Sequence, residues 1–180
     1  IQEPERINFI EQFDKNGFKI RAIAYGEDGK TERIMERKYD TGGNLVCTEG
    51  LNPDSNHLYK ETRNYDENNN RKELYFYLPD GTYKYRNEAT YDAERRMTEL
   101  KWYWTSGLTA INKYTYDKMN MIENKQFGAD GTFQNRWKHQ YDENNNLLEA
   151  IQYSADSTVN YKITYKYNVD KLLVEQTNNY

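Results

Sequence analysis

Eighteen tyrosines and three tryptophans stand among the 180 residues, and they are the side chains with most to offer a partner. A tyrosine ring presents a flat apolar face that stacks on sugar C–H groups, with a hydroxyl at its rim for hydrogen bonds. Few torsions are fixed when it binds, which also suits protein partners. Acidic groups come next. Glu73, Glu99, Glu123, Glu149 and Glu175 recur at a nearly constant step. Paired carboxylates carry glycoside hydrolysis when they lie about 5–5.5 Å apart (retaining) or about 6.5–9.5 Å apart (inverting). Residues 66–70 and 142–146, both Asp-Glu-Asn-Asn-Asn, have a calcium-loop flavour. They lack the glycine and the distal bidentate glutamate of that motif, so turn chemistry explains them. His57 and His139 have no metal-spaced partner, and the single Cys47 excludes an internal disulfide or a cysteine zinc cluster. No phosphate-cradling glycine loop, nucleophile elbow or Ser/His/Asp set is present. The expectation is a protein that is not an enzyme, with no cofactor and no metal site.

What positions these residues is a repeat. An aromatic–acidic pair opens it at Phe13-Asp14, Tyr39-Asp40, Tyr65-Asp66, Tyr91-Asp92, Tyr116-Asp117 and Tyr141-Asp142, and weakens to Tyr167-Asn168; the steps are 26, 26, 26, 25, 25 and 26 residues. A fixed period of this length marks a repeat architecture. Each copy holds two turns. The first reads Asp-Lys-Asn-Gly at residues 14–17 and Asp-Thr-Gly-Gly at 40–43; the second reads Pro-Asp-Gly at 79–81 and Ala-Asp-Gly at 129–131. Glycine or asparagine suits the left-handed position of a bulged hairpin loop, and proline presets the first corner. Between turns, runs such as Tyr-Lys-Ile-Thr-Tyr-Lys-Tyr at 161–167 alternate with period two, the mark of a strand. The prediction is an all-β, twisted, single-layer antiparallel meander of about 14 strands, forming one domain over residues 1–180. Residues 1–6 read as a lead-in and residues 7–13 as the first strand.

If flanking residues pair across each bulged loop, parity is kept and the odd-numbered tyrosines share one face. The two 25-residue steps preserve this if their losses fall at residues 106–107 and 118–120. Seventeen of the 18 tyrosines then line one face, with the glutamate row beside them about 10 Å apart, one in every second strand. The glutamates are expected to pair with Lys101, Lys125 or Asn87. Ile20, Val46, Leu74, Leu100, Ile122, Leu148 and Val174 fall on the opposite face. Tyrosines flanking turns, such as Tyr39 beside Leu45 and Tyr153 beside Val159, read as cross-strand support. Mid-strand aromatics are the candidate ligand-binding set: Tyr59, Tyr75, Tyr85, Tyr103, Trp137, Tyr161 and Tyr165.

The formal charge of −4 and pI near 5.4 leave no basic footprint for duplex nucleic acid. Most lysines and arginines of the second strands fall opposite the tyrosines, against a single-strand binding groove. No run of about 18 apolar residues suggests a membrane span.

The Tyr-Asp…Gly/Asn-Asn-Leu-x-Glu…Asp-Gly pattern, from Phe13 to Tyr180, resembles the β-hairpin-repeat, single-layer-sheet proteins of gut Bacteroidetes. More loosely it is similar to the tyrosine–aspartate (YD/RHS) repeats of bacterial surface and toxin proteins. The resemblance implies an exported protein, secreted or in the cell envelope, connected with complex carbohydrate use. The resulting expectation is a non-catalytic binding module that offers its tyrosine face to a glycan or to a glycan-utilisation or cell-surface protein. The alternative is a structural or protein-interaction element of an envelope assembly, using its aromatic face or its open edges near residues 7–13 and 173–179.

Overall fold

A computed structural model of the chain describes residues 8–179. Fourteen strands follow one another: β1 (Phe9–Phe13), β2 (Lys19–Tyr25), β3 (Thr31–Tyr39), β4 (Leu45–Leu51), β5 (His57–Tyr65), β6 (Arg71–Tyr77), β7 (Tyr83–Tyr91), β8 (Met97–Trp104), β9 (Gly107–Asp117), β10 (Asn120–Gly128), β11 (Phe133–Tyr141), β12 (Leu147–Ser154), β13 (Val159–Tyr167) and β14 (Leu173–Asn179). They form a single antiparallel sheet in chain order, as the repeat predicts. The lead-in over residues 1–6 lies outside the described residues. Contacts group the chain into two compact units, Ile1–Glu88 and Ala89–Tyr180, each taken by itself below.

The turns follow the sequence chemistry. In the first turn of the second repeat, the Asp40 carboxylate accepts from the backbone N–H groups of Gly42 (2.9 Å) and Asn44 (2.8 Å) and from the Asn44 side chain (3.0 Å). Asp66 and Asp142 hold the same set of donors in their own turns. The left-handed residue is Gly17 or Gly43 in two copies but Asn69, Arg95, Asn145 and Lys171 in others. Both short repeats lose their residue in a turn: Trp104 pairs with Gly107, and Asp117 with Asn120.

The faces differ from expectation, because each hairpin carries a second irregularity. Tyr39 pairs with Leu45 but Lys38 with Cys47, so Val46 is an extra residue. The same shift leaves Ile20, Lys72, Ile122, Leu148 and Val174 unpaired at other first turns. After second turns the shift recurs: Gly50 pairs with Tyr59 but Leu51 with His57, leaving Leu58 over. A bulge adds one residue to one strand and leaves it unpaired. Paired residues share a face and neighbours alternate, so each added residue reverses the parity relation between one strand and the next. Even residues of first strands therefore share a face with odd residues of second strands, except in β9, where the shortened turns set even residues on that face.

In the first unit, one face carries Leu74 and Phe76 beside Tyr59, Tyr65 and Tyr85, while Glu73, Tyr75 and Tyr77 lie on the other with Lys60 and Arg86. In the second unit, Tyr114, Trp137, Tyr141, Tyr161 and Tyr165 share a face, and Tyr103 and Tyr153 lie opposite. The single tyrosine face is thus corrected to two faces, the second-strand tyrosines being parted from those of the first strands. The glutamate row moves with the first strands, away from the second-strand tyrosines.

No large side chain is fully buried among the described residues, as a one-layer sheet requires. Among the described residues, the buried apolar side chains are Ile34, Cys47, Leu51 and Leu74 in the first unit, beside the buried polar Thr48, Glu49, Asn70 and Asn87, and Ala89 and Ala150 in the second. Stability must then come from cross-strand pairs, each worth about 0.2–1 kcal/mol, rather than from a core.

Candidate functional site

The Tyr-Asp pair divides its work between two neighbouring structures. The aspartate closes its own turn. The tyrosine hydroxyl reaches back over the preceding hairpin and donates to a backbone carbonyl at the start of the preceding first strand. Tyr39 donates to Lys19 O (3.1 Å) and Tyr65 to Leu45 O (2.9 Å) in the first unit. In the second, Tyr116 donates to Met97 O (2.9 Å), Tyr141 to Met121 O (3.0 Å) and Tyr167 to Leu147 O (3.0 Å). These carbonyls sit beside the bulges, where the ladder is interrupted, so the hydroxyl supplies a partner where regular pairing lapses. These five tyrosines, each before a first turn, are latches; Tyr39 beside Leu45 and, at a second turn, Tyr153 beside Val159 form the expected cross-strand pairs.

The mid-strand candidates fall into separate groups. Tyr59 and Tyr85 stand on one face of the first unit with Phe76 between them. The Tyr59 and Phe76 rings stack at 5.5 Å and 10°, and those of Phe76 and Tyr85 at 5.1 Å and 6°. Tyr59 also lies against Gly50, its cross-strand partner: a Cβ built on Gly50 would meet Tyr59 Cε1 at 2.2 Å. A tyrosine ring covering a glycine in a paired strand supports the sheet there. Rings that face one another leave their faces occupied. Tyr75 lies on the opposite face, stacked on Tyr77 at 6.2 Å with the Arg86 guanidinium 5.9 Å from its ring. In the second unit, Trp137, Tyr161 and Tyr165 share a face; Trp137 meets Tyr161 edge-on at 6.1 Å and 81° and stacks on His139 at 6.3 Å. Tyr103 is on the other face of that unit, in line with Glu99 and Lys101. Burial lowers the His139 pKa, favouring the neutral imidazole.

The glutamate row is taken up in ion pairs and hydrogen bonds. Glu99 contacts Lys101 (3.1 Å) and Lys113 (3.8 Å), and Glu123 contacts Lys125 (2.8 Å) and Arg136 (3.9 Å). Glu149 pairs with Lys162, and Glu175 with Lys166 (3.0 Å). Glu73 accepts from Asn64 at 2.7 Å. The expected partners Lys101 and Lys125 are found, whereas Asn87 lies on the opposite face from Glu73 and pairs with Leu74. Among the described residues, no three His, Cys, Asp or Glu side chains gather as a metal site would need.

One acidic residue that sequence reading passed over is Glu49, in the middle of β4. It is 9% exposed and lies between Lys38 (3.8 Å) and Lys60 (3.2 Å). Burial pushes its carboxyl up, and the ammonium groups of Lys60 and Lys38 outweigh this and hold it below the usual range. It borders an open cleft of about 410 Å³ lined also by His57, Tyr77 and Pro79. The signal was present: an acid inside the stretch from Val46 to Leu51. Lys60 faces it on β5; on β3 its direct partner is Glu36, and Lys38 reaches it from the diagonal position opposite Cys47.

Residues 2–49 match the model of a protein family of unknown function, DUF2963. No curated protein matches in sequence. Among solved structures, the Photorhabdus luminescens Tc holotoxin pore carrying the TccC3-D651A mutation superposes with a TM-score of 0.61 at 15% identity, over 94% of this chain and 9% of that one. A crystal structure of TcdB2-TccC3 matches over 94% of this chain and 15% of its own length, with 13% identity and a TM-score of 0.24. This chain therefore spans a small part of the structures it matches. With the repeated Tyr-Asp latch, the first of these supports a tyrosine–aspartate-repeat-like β-sheet.

Proposed function

We propose that this chain is a non-catalytic structural and protein-interaction element, a repeat-built stretch of sheet that belongs to a larger protein assembly. The observation behind this reading is the latch. The repeated tyrosines spend their hydroxyls on carbonyls of the sheet, and the ladder Tyr59–Phe76–Tyr85 spends its ring faces on its own neighbours. The repeated glutamates are likewise taken up within the sheet, Glu99, Glu123, Glu149 and Glu175 by cations and Glu73 by Asn64. The resemblance to exported repeat proteins, together with the fold likeness to a toxin component, supports a secreted or cell-envelope setting as part of the proposal.

A glycan platform is the second reading. It is favoured by Trp137, Tyr161 and Tyr165, which share a face where the two nearest rings meet edge-on rather than face to face. Affinity electrophoresis through gels containing soluble polysaccharides separates the two. The structural reading expects unchanged mobility in every gel. Retardation that disappears in Tyr161→Ala, with the β-sheet circular dichroism intact, would replace it with the glycan reading.

A further inference from the structure

Two strands of this sheet have one neighbour each among the described residues, and the repeat makes their outer sides complementary. Among the described residues, β1 neighbours only β2, and β14 neighbours only β13. Along the sheet, strands that lead into a first turn alternate with strands that leave one. β1 leads into the turn at Asp14, as β13 leads into the turn at Asn168; β14 leaves that turn as β12 leaves the one at Asp142. The outer side of β14 is therefore the side on which β12 holds β13, and β1 is a strand of the β13 kind. β12 and β13 pair Glu149 with Thr164, Ala150 with Ile163 and Ile151 with Lys162. Carried over by repeat position, with Glu149 onto Glu175 and Tyr167 onto Phe13, this register sets Glu175 opposite Ile10, Gln176 opposite Phe9 and Thr177 opposite Asn8.

The backbone agrees. Asn8 O accepts from Tyr25 N, and Asp14 N donates to Phe18 O, so the even residues of β1 turn toward β2 and Phe9 turns outward. On β13, Asn168 N donates to Leu172 O, which directs Lys166 and its partner Glu175 toward each other and leaves Gln176 facing out. Phe9 and Gln176 thus each present an N–H and a C=O to a strand not yet there. Apolar exposure concentrates at the same places: Phe9 is 62% exposed, Phe13 54%, Leu173 51% and Val174 62%. The edge acids are paired within their own unit, Glu11 with Lys19 and Glu175 with Lys166. No like charges then meet in this register, since Glu175 falls opposite Ile10.

We propose that copies of this chain join edge to edge, β1 of one copy pairing antiparallel with β14 of the next and continuing the meander in its own register. The proposal rests on the protein-interaction reading and names the partner. A head-to-tail contact of this kind builds open chains unless its rotation closes a ring. Five residues at about 3.4 Å each make a contact only about 17 Å long, so the association is weak and concentration-dependent. β1 ends in Phe13 where the repeat has tyrosine, so the junction lacks the latch that a hydroxyl would make to Leu173 O.

Sedimentation velocity over a dilution series tests this with two edge-blocked variants. Gln176→Pro removes an outward N–H and leaves the pairing with β13 intact. Phe9→Lys sets a charge on the other edge. The wild-type chain is expected to gain mass as concentration rises, each variant alone to stay monomeric, and an equal mixture of the two to form dimers and stop there. Phe13→Tyr is expected to tighten association about fivefold by restoring the latch. A wild-type chain monomeric to near-millimolar concentration, variants that associate as it does, or a mixture that fails to dimerise would overturn the proposal. A monomer that also ignores polysaccharides leaves the protein-interaction reading with a different partner; retardation abolished by Tyr161→Ala removes that reading itself.

Discussion

The hydroxyl of Tyr65 donates to the carbonyl oxygen of Leu45, 2.9 Å away and 20 residues back along the chain. That one bond explains why a tyrosine precedes the turn aspartate. The aspartate shapes a hairpin, and the tyrosine fastens it to the hairpin before.

The ring of Tyr59 over Gly50 leaves no room for a side chain, since an added Cβ would sit 2.2 Å from Cε1. Gly50→Ala is expected to destabilise the fold by about 1–3 kcal/mol, the range of an overpacking strain. Tyr59→Ala in the same chain should recover part of that loss, because it removes the ring with which the methyl collides. Urea denaturation of the two single variants and the double variant measures the coupling; strict additivity would mean the ring and the glycine are independent.

Ser157 holds a left-handed backbone, φ 69°, at a turn position that Gly81 and Gly131 occupy in other copies. A side chain there is strained by roughly 1–2 kcal/mol where glycine is not. Part of that gain is offset by the greater freedom of glycine in the unfolded chain. Ser157→Gly is expected to raise stability by about 0.5–1 kcal/mol. For a chain of this size that corresponds to a melting point a few degrees higher, roughly 2–4 °C per kcal/mol. A lower melting point would show that the strain is relieved elsewhere.

Acid should unfold the sheet through its turns. Hydrogen bonds from Ser154 and Thr158 hold the Asp156 carboxyl down at about 2. Donors from Asn44, Thr82, Thr132 and Asn146 hold Asp40, Asp80, Asp130 and Asp142 below their ordinary value. A carboxyl whose folded pKa is depressed stabilises the fold above the unfolded value, about 3.9, and loses that contribution as pH falls through the folded value. The melting temperature is expected to be insensitive to these groups from neutrality down to about pH 5 and to fall steadily toward pH 2. Asp156→Asn should flatten the lowest part of that profile.

Cys47 is 8% exposed, and burial, followed by the charge of Glu49, pushes its thiol pKa up. A buried neutral thiol reacts slowly. Alkylation by iodoacetamide at pH 8 is expected to be far slower in the native chain than in urea, which makes this residue a reporter of opening at β4. Equal rates in both conditions would show that β4 is open in the native state.

Strand number, chain order and turn positions were all legible because they rest on local chemistry: alternation, Asp-led turns and left-handed glycines. The two 25-residue steps were also placed in turns by that logic. The allocation of faces was not legible. Ile20, Val46, Lys72, Ile122, Leu148 and Val174 are ordinary strand residues by type, and nothing in the sequence marks them as the added residue of a bulge. One unmarked residue per hairpin reverses every side chain beyond it, so Tyr59 and Tyr75 part although both are odd. The partner of a latch could not be read either, because it is a backbone carbonyl that any residue supplies. The separation between lysine-bearing positions and second-strand tyrosines survived, since both belong to the same strands and alternate there.

The claim most exposed to test is that the repeated tyrosines hold the sheet together. Tyr141→Phe removes only the hydroxyl that reaches Met121 O at 3.0 Å, whereas Tyr83→Phe alters a ring 39% exposed at the second turn. Equilibrium denaturation in urea should show Tyr141→Phe less stable by about 1 kcal/mol, the worth of a protein hydrogen bond, and Tyr83→Phe unchanged. A Tyr141→Phe chain as stable as the wild type would contradict the latch and return the hydroxyls to service at a binding face.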